Sequence, residues 1–127
     1  MSSSSSLPPL PNVLEREVGL SLQRFAHWAE TANNYAARQL GLHVTDLACI
    51  GYLDTQPGPS SAKDVVEYLG ISSGSGTGLL DRLEKAGYVR RMRNPDDRRG
   101  VLVELVIEQA KEPLTFYRRL QLAFADA

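Results

Sequence analysis

Two groups of side chains in this sequence have the types and spacing to do chemistry. The first is cationic. Arg82, Lys85, Arg90, Arg91, Arg93, Arg98 and Arg99 hold half of the chain's 14 Lys and Arg residues, opposed between residues 82 and 99 only by Glu84, Asp96 and Asp97. The net charge of −1 hides that concentration, yet attraction to a polyanion is screened beyond about 8–10 Å, so the local balance decides. The second group is hydroxylic: Ser72, Ser73, Ser75 and Thr77, interleaved with Gly74, Gly76 and Gly78. No His lies near these hydroxyls in sequence, so none has the base a nucleophile needs. The glycine-rich run falls inside a helical pattern and lacks the Lys of a phosphate-binding loop. Ser and Thr in such a place suit phosphate oxygens or base edges.

Other reactive types point nowhere further. His27 and His43 lie far apart without a Cys or carboxylate pattern, so no metal site is expected, nor any other cofactor or catalytic residue. Cys49 sits among Leu47 and Ile50 and reads as a buried thiol. As the lone Cys it forms no internal disulfide.

The elements that must position these groups follow from periodicity. Ser2–Ser6 is low-complexity and expected to be disordered, and Pro8, Pro9 and Pro11 keep the chain out of helix. Asn12 with Glu15 has capping-box spacing. From there Leu14, Val18, Leu22, Phe25, Ala29, Ala32, Ala36 and Leu40 recur at helical steps, up to Gly41. A second helix is expected over about 46–54 behind Thr45, and a third over 62–69 behind Ser60 or Ser61. Gly70-Ile71-Ser72 is a tight turn, and a fourth helix over about 73–86 stops at Gly87. Residues 88–91 and 101–105 alternate as two strands around the turn Asn94-Pro95-Asp96-Asp97. A last helical stretch covers about 108–124, started or broken by Pro113.

Helix, short turn, helix and a hairpin with a basic tip make a winged helix-turn-helix: mainly α with a small β-hairpin. In that layout the second helix of the pair enters the major groove of double-stranded DNA by its N-terminal end, and a wing Arg can enter the minor groove. The candidate DNA-contacting residues are Ser72, Ser73, Ser75, Thr77, Arg82, Arg90, Arg91, Asp97, Arg98 and Arg99. For Arg82, pairing with Asp81 or Glu84 competes with contact to the DNA backbone.

The segments "LLDRLEKAGYVRR" (79–91) and "NPDDRRGVLVEL" (94–105) resemble the MarR (multiple antibiotic resistance regulator) family, and the likeness runs from about Leu14 to Leu105. The resemblance implies a homodimeric transcriptional regulator on a pseudo-palindromic operator, probed by the fourth helix and by Arg99, with Asp97 steadying the tip. It implies a repressor released by a small aromatic effector near the dimerisation helices, where Trp28, Tyr35 and Tyr52 are candidate contacts. The family usually carries a larger side chain where Gly78 stands, and three glycines cost this helix about 1 kcal/mol each relative to Ala. It also continues into a longer C-terminal helix, so dimerisation here is expected to rest on the first helix and the last.

The expected organisation is a tail, 1–11, and one domain, 12–127, with a DNA-binding lobe at 42–106 between dimerisation helices at 12–41 and 107–127. No apolar run approaches the length of about 20 residues that spans a bilayer. No secretory signal pattern opens the chain, so no membrane partner and a cytoplasmic location are expected. The alternative is a winged-helix module that binds a protein or small molecule and has weak or no operator binding; salt-dependent binding to DNA separates the two.

Overall fold

The computed structural model describes residues 12–126; the tail 1–11 lies outside the described residues, as do the side chains of Leu120 and Phe124. Helix α1 covers Val13–Leu40. Its start is fixed as the spacing predicts: the Glu15 N–H donates to Asn12 Oδ1 at 2.7 Å, and Asn12 Nδ2 donates to Glu15 Oε1. Two compact units divide the chain within α1, one ending at Ala32 and one covering Asn33–Ala127. In the first, Leu14, Val18 and Leu22, the start of the apolar stripe, are exposed.

The second unit holds the remaining elements. Gly41 takes a left-handed φ of 68° and ends α1, which lets the chain turn back with Leu42 N–H bonded to the Ala37 carbonyl. Helix α2 covers Val44–Thr55 and begins two residues ahead of the expected start. The reason is its cap: Asp46, not Thr45, supplies the side chain, its Oδ2 accepting the His43 backbone N–H at 3.0 Å. Helix α3, Ala62–Leu69, is capped by Ser61, whose Oγ accepts the Asp64 N–H, and closes on Gly70 with φ 66°.

Helix α4, Ser73–Lys85, follows the turn. Gly76 is buried there, and a Cβ on it would overlap Cγ2 of Val66 on α3. The glycine that looks costly in sequence is what lets the two helices approach.

Strands β2, Val89–Arg93, and β3, Val101–Leu105, pair antiparallel with Arg91 opposite Val103 and Arg93 opposite Val101. Ser60–Ser61 adds a short strand, β1, to the outer edge of β3, giving the order β1-β3-β2. That strand is absent from the sequence reading, because two serines carry no alternation and take their extended geometry from β3.

Helix α5 covers Lys111–Asp126. Pro113 lies in its first turn, where no backbone N–H is needed, so it starts the helix and does not break it. Ile50, Val65, Leu79, Leu83, Val89, Val103 and Leu114 form the main buried core. Ala36, Ala37 and Leu47 form a second cluster with Phe116 and Tyr117. The C-terminal part of α1 therefore packs with the winged-helix unit.

Candidate nucleic-acid interface

The turn between α3 and α4 and the first turns of α4 present the hydroxyls that the sequence singled out, and most already have bonds. Ser72 is the N-cap: its Oγ accepts the Ser75 N–H at 3.1 Å and lies 3.0 Å from Ser75 Oγ. Thr77 Oγ1 donates back to the Ser73 carbonyl at 3.1 Å. Ser73 keeps an exposed hydroxyl with no side-chain hydrogen bond among the described residues. The uncovered N–H groups of this helix start carry partial positive charge and favour an anion such as phosphate.

The six arginines between residues 82 and 99 divide into two sets. Arg90 pairs with Glu104 across the hairpin at 2.8 Å. Arg91 pairs with Asp81 at 2.7 Å and Glu84 at 2.6 Å, and its Nε and backbone N–H also donate to Glu84. These hydrogen bonds hold the Glu84 carboxyl below its ordinary range and push the Arg91 guanidinium above its own. Arg82 pairs with neither of its sequence neighbours. Its Nη2 meets Oδ1 of Asp46, 36 positions earlier on α2, at 2.8 Å.

Arg93, Arg98 and Arg99 form the other set, with no ion pair among the described residues. Together with Arg91, Met92, Gly100 and Val101 they line one cleft of about 330 Å³ at the wing.

The tip carrying Arg98 and Arg99 is ordered by backbone bonds. Asn94 N–H donates to the Gly100 carbonyl, Gly100 N–H to the Asp97 carbonyl, and Asp96 N–H to Asn94 Oδ1. Asp97 Oδ1 accepts the backbone N–H of Arg99 at 3.0 Å. The carboxylate thus steadies the tip through the main chain at Arg99 and forms no ion pair with the guanidinium among the described residues.

The three aromatic candidates separate. Trp28 packs near Phe25 at a ring distance of 5.8 Å in the first unit, and Tyr35 is exposed on α1. Tyr52 stacks on Tyr68 at 4.3 Å and lines a cavity of about 310 Å³ with Asn33, Gly51, Asp54 and Tyr117. Burial pushes the Tyr117 phenol up to about 12. Asn33 Oδ1 is buried there without a hydrogen-bond partner. Tyr68, Tyr117 and Asn33 carry no sequence signal for this cavity, because three helices and α1 bring them together. Cys49 is fully buried as expected, its thiol raised to about 12 by burial and by nearby Asp46. Among the described residues no group of His, Cys, Asp or Glu is placed to hold a metal, and no helix is long and apolar enough to cross a membrane.

The sequence model of the MarR family matches residues 40–100. The uncharacterized HTH-type transcriptional regulator YcgE of Bacillus subtilis strain 168 is 41% identical over 91 residues, 72% of this chain and 58% of YcgE. The chain thus spans little more than half of that relative. Among solved structures, a MepR mutant from a multidrug-resistant S. aureus clinical isolate superposes with a TM-score of 0.72 at 16% identity, over 86% of this chain and 79% of MepR. NadR in complex with 4-hydroxyphenylacetate gives 0.69 at 24% identity, over 94% of this chain and 83% of NadR.

Proposed function

This chain belongs to the MarR family, and on that footing we propose that it is a DNA-binding transcriptional regulator acting as a homodimer on a pseudo-palindromic operator. The observation that carries the reading is the wing: Arg93, Arg98 and Arg99 share one cleft with no carboxylate partner among the described residues. Unpaired cations on a hairpin beside a helix-turn-helix are suited to phosphates and to a minor groove. Ser73 and the N-terminal end of α4 supply the major-groove contacts, with Ser72, Ser75 and Thr77 holding that end in shape. Arg99 enters the minor groove, and Asp97 sets its backbone. Arg90 and Arg91 contribute less, since each already faces a carboxylate.

Dimerisation uses the exposed apolar side chains of α1, Leu14, Val18 and Leu22 among them, and Leu122 of α5. The protein works in the cytoplasm, as a repressor and not as an enzyme. Its effector is a small aromatic compound, supported by the aromatic acid bound to NadR and by the cavity at Tyr52. Trp28 and Tyr35 remain further candidate contacts.

The test is a gel shift at increasing salt on DNA upstream of the gene. With about four to six phosphates neutralised per protomer, the log–log slope for a dimer is on the order of −7 to −11. A flat response, or a monomer by sedimentation at high micromolar concentration, removes this reading.

A further inference from the structure

Asp46 carries the most deeply buried carboxylate of the described residues, with its side chain 2% exposed. It has two partners. Oδ2 accepts the His43 N–H at the start of α2, and Oδ1 accepts Arg82 Nη2 from α4. The Arg82 side chain is 45% exposed, so only one edge of the guanidinium is tied down. Its other end lies over Gly78: a Cβ built there would stand 3.8 Å from Arg82 Nη1. Residues 74, 78 and 82 are four apart and share one face of α4. Gly74 has nothing within 4 Å of a built Cβ, so this face is a bare lane with one cation laid along it.

We propose that Asp46 is a positioning residue that holds the Arg82 guanidinium along the Gly74–Gly78 lane of α4, ready to meet a DNA phosphate. The inference rests on the DNA-binding reading above and adds a residue that no DNA-contact pattern would include. A free Arg must give up rotamer freedom on binding, whereas one already fixed by a buried carboxylate gives up less. Asp46 uses one donor of the guanidinium, and Arg has five, so the others stay open to a phosphate oxygen. Gly78 is part of the device. A large side chain there would occupy the space that Arg82 crosses.

Removing Arg82 alone strands a buried carboxylate and endangers the fold. Asp46→Asn is the better first variant, because the amide oxygen still accepts the His43 N–H. Affinity is measured well below the melting temperature, on the duplex that wild-type protein selects from a random-sequence pool. Asp46→Asn should fold and bind about tenfold more weakly, with an unchanged salt slope, since the Arg82 charge is still present. Asp46→Asn/Arg82→Gln should bind more weakly still and lose about two units of slope per dimer, one phosphate from each protomer. Gly78→Leu should weaken binding in the wild-type background and add nothing in the double variant.

Wild-type affinity in Asp46→Asn, even with a lower melting midpoint, overturns the proposal and leaves a purely structural ion pair. So does a double variant whose slope equals wild type. An equal Gly78→Leu loss in both backgrounds shows a direct block of the groove and overturns the role of Gly78. Wild-type protein that selects no duplex removes the DNA-binding reading and this inference together, which separates the two failures.

Discussion

Helix α4 and the wing follow each other in sequence and share the basic cluster, yet they are built on opposite plans. The groups of α4 are committed inward. Gly76 packs on Val66, Ser72 caps Ser75, Thr77 bonds back to Ser73, and Arg82 is tied to Asp46. The wing tip is held by its backbone and by the Asn94 and Asp97 side chains, and the exposed Arg93, Arg98 and Arg99 line a cleft without an ion pair among the described residues. The difference teaches a division of labour. A reading element needs a fixed position and draws it from the core, while an electrostatic element needs uncompensated charge and must avoid local carboxylates. Loss of packing in the first should appear in stability, and loss of charge from the second in DNA affinity, while Arg82, fixed by Asp46 yet 45% exposed, should report in affinity as well.

Gly76→Leu tests the first half and has the largest expected effect. The added side chain has to displace Val66, and overpacking of this kind costs about 1–3 kcal/mol or more. Thermal or denaturant unfolding should register the loss, and Val66→Ala in the same chain should recover part of it. An unchanged midpoint would mean that α3 and α4 separate freely, which contradicts a packed reading helix.

Arg99→Ala tests the second half. DNA affinity should fall by about 1–3 kcal/mol, the scale of one good groove contact, with an unchanged melting midpoint. Should the midpoint fall and affinity hold, Arg99 belongs to the structural class and the contrast with α4 fails. Asp97→Ala should act in the same direction with a smaller loss, because it frees the Arg99 main chain without removing the charge. Equal binding by wild type and Asp97→Ala would show that the backbone turn alone orders the tip.

The smallest effect is expected at the seam between the two regions. Glu84 of α4 neutralises Arg91 of the wing, so Glu84→Gln should tighten DNA binding slightly and steepen its salt dependence. Acid should act likewise. Arg91 holds the Glu84 carboxyl below its usual range, so the pair is intact above the unfolded carboxylate pKa and is lost as pH falls through the depressed folded value. Weaker binding by Glu84→Gln would mean that Glu84 orients Arg91 toward the DNA and does not merely cancel it.

Much of this architecture was legible in the residues. The Asn12/Glu15 cap, a cap at Ser60 or Ser61, the stops at Gly41, Gly70 and Gly87, and the alternation of 101–105 are local signals, each decided within about one turn of chain. The concentration of Arg between 82 and 99 is likewise a property of the string. Partnership was not legible. Nothing near Arg82 marks Asp46, nothing in Ser60–Ser61 announces a strand, and nothing in Gly76 distinguishes a packing glycine from a costly one. Tyr52, Tyr68, Tyr117 and Asn33 meet around one cavity from four separate helices. The sequence by itself determined which segments are helices, where most of them stop and where charge accumulates, because propensity, capping and composition act over a few residues. Which charges are cancelled and which stay open to a polyanion was decided by the tertiary structure alone, because an ion pair depends on distances of a few ångströms between groups that, for Arg82 and Asp46, stand 36 positions apart.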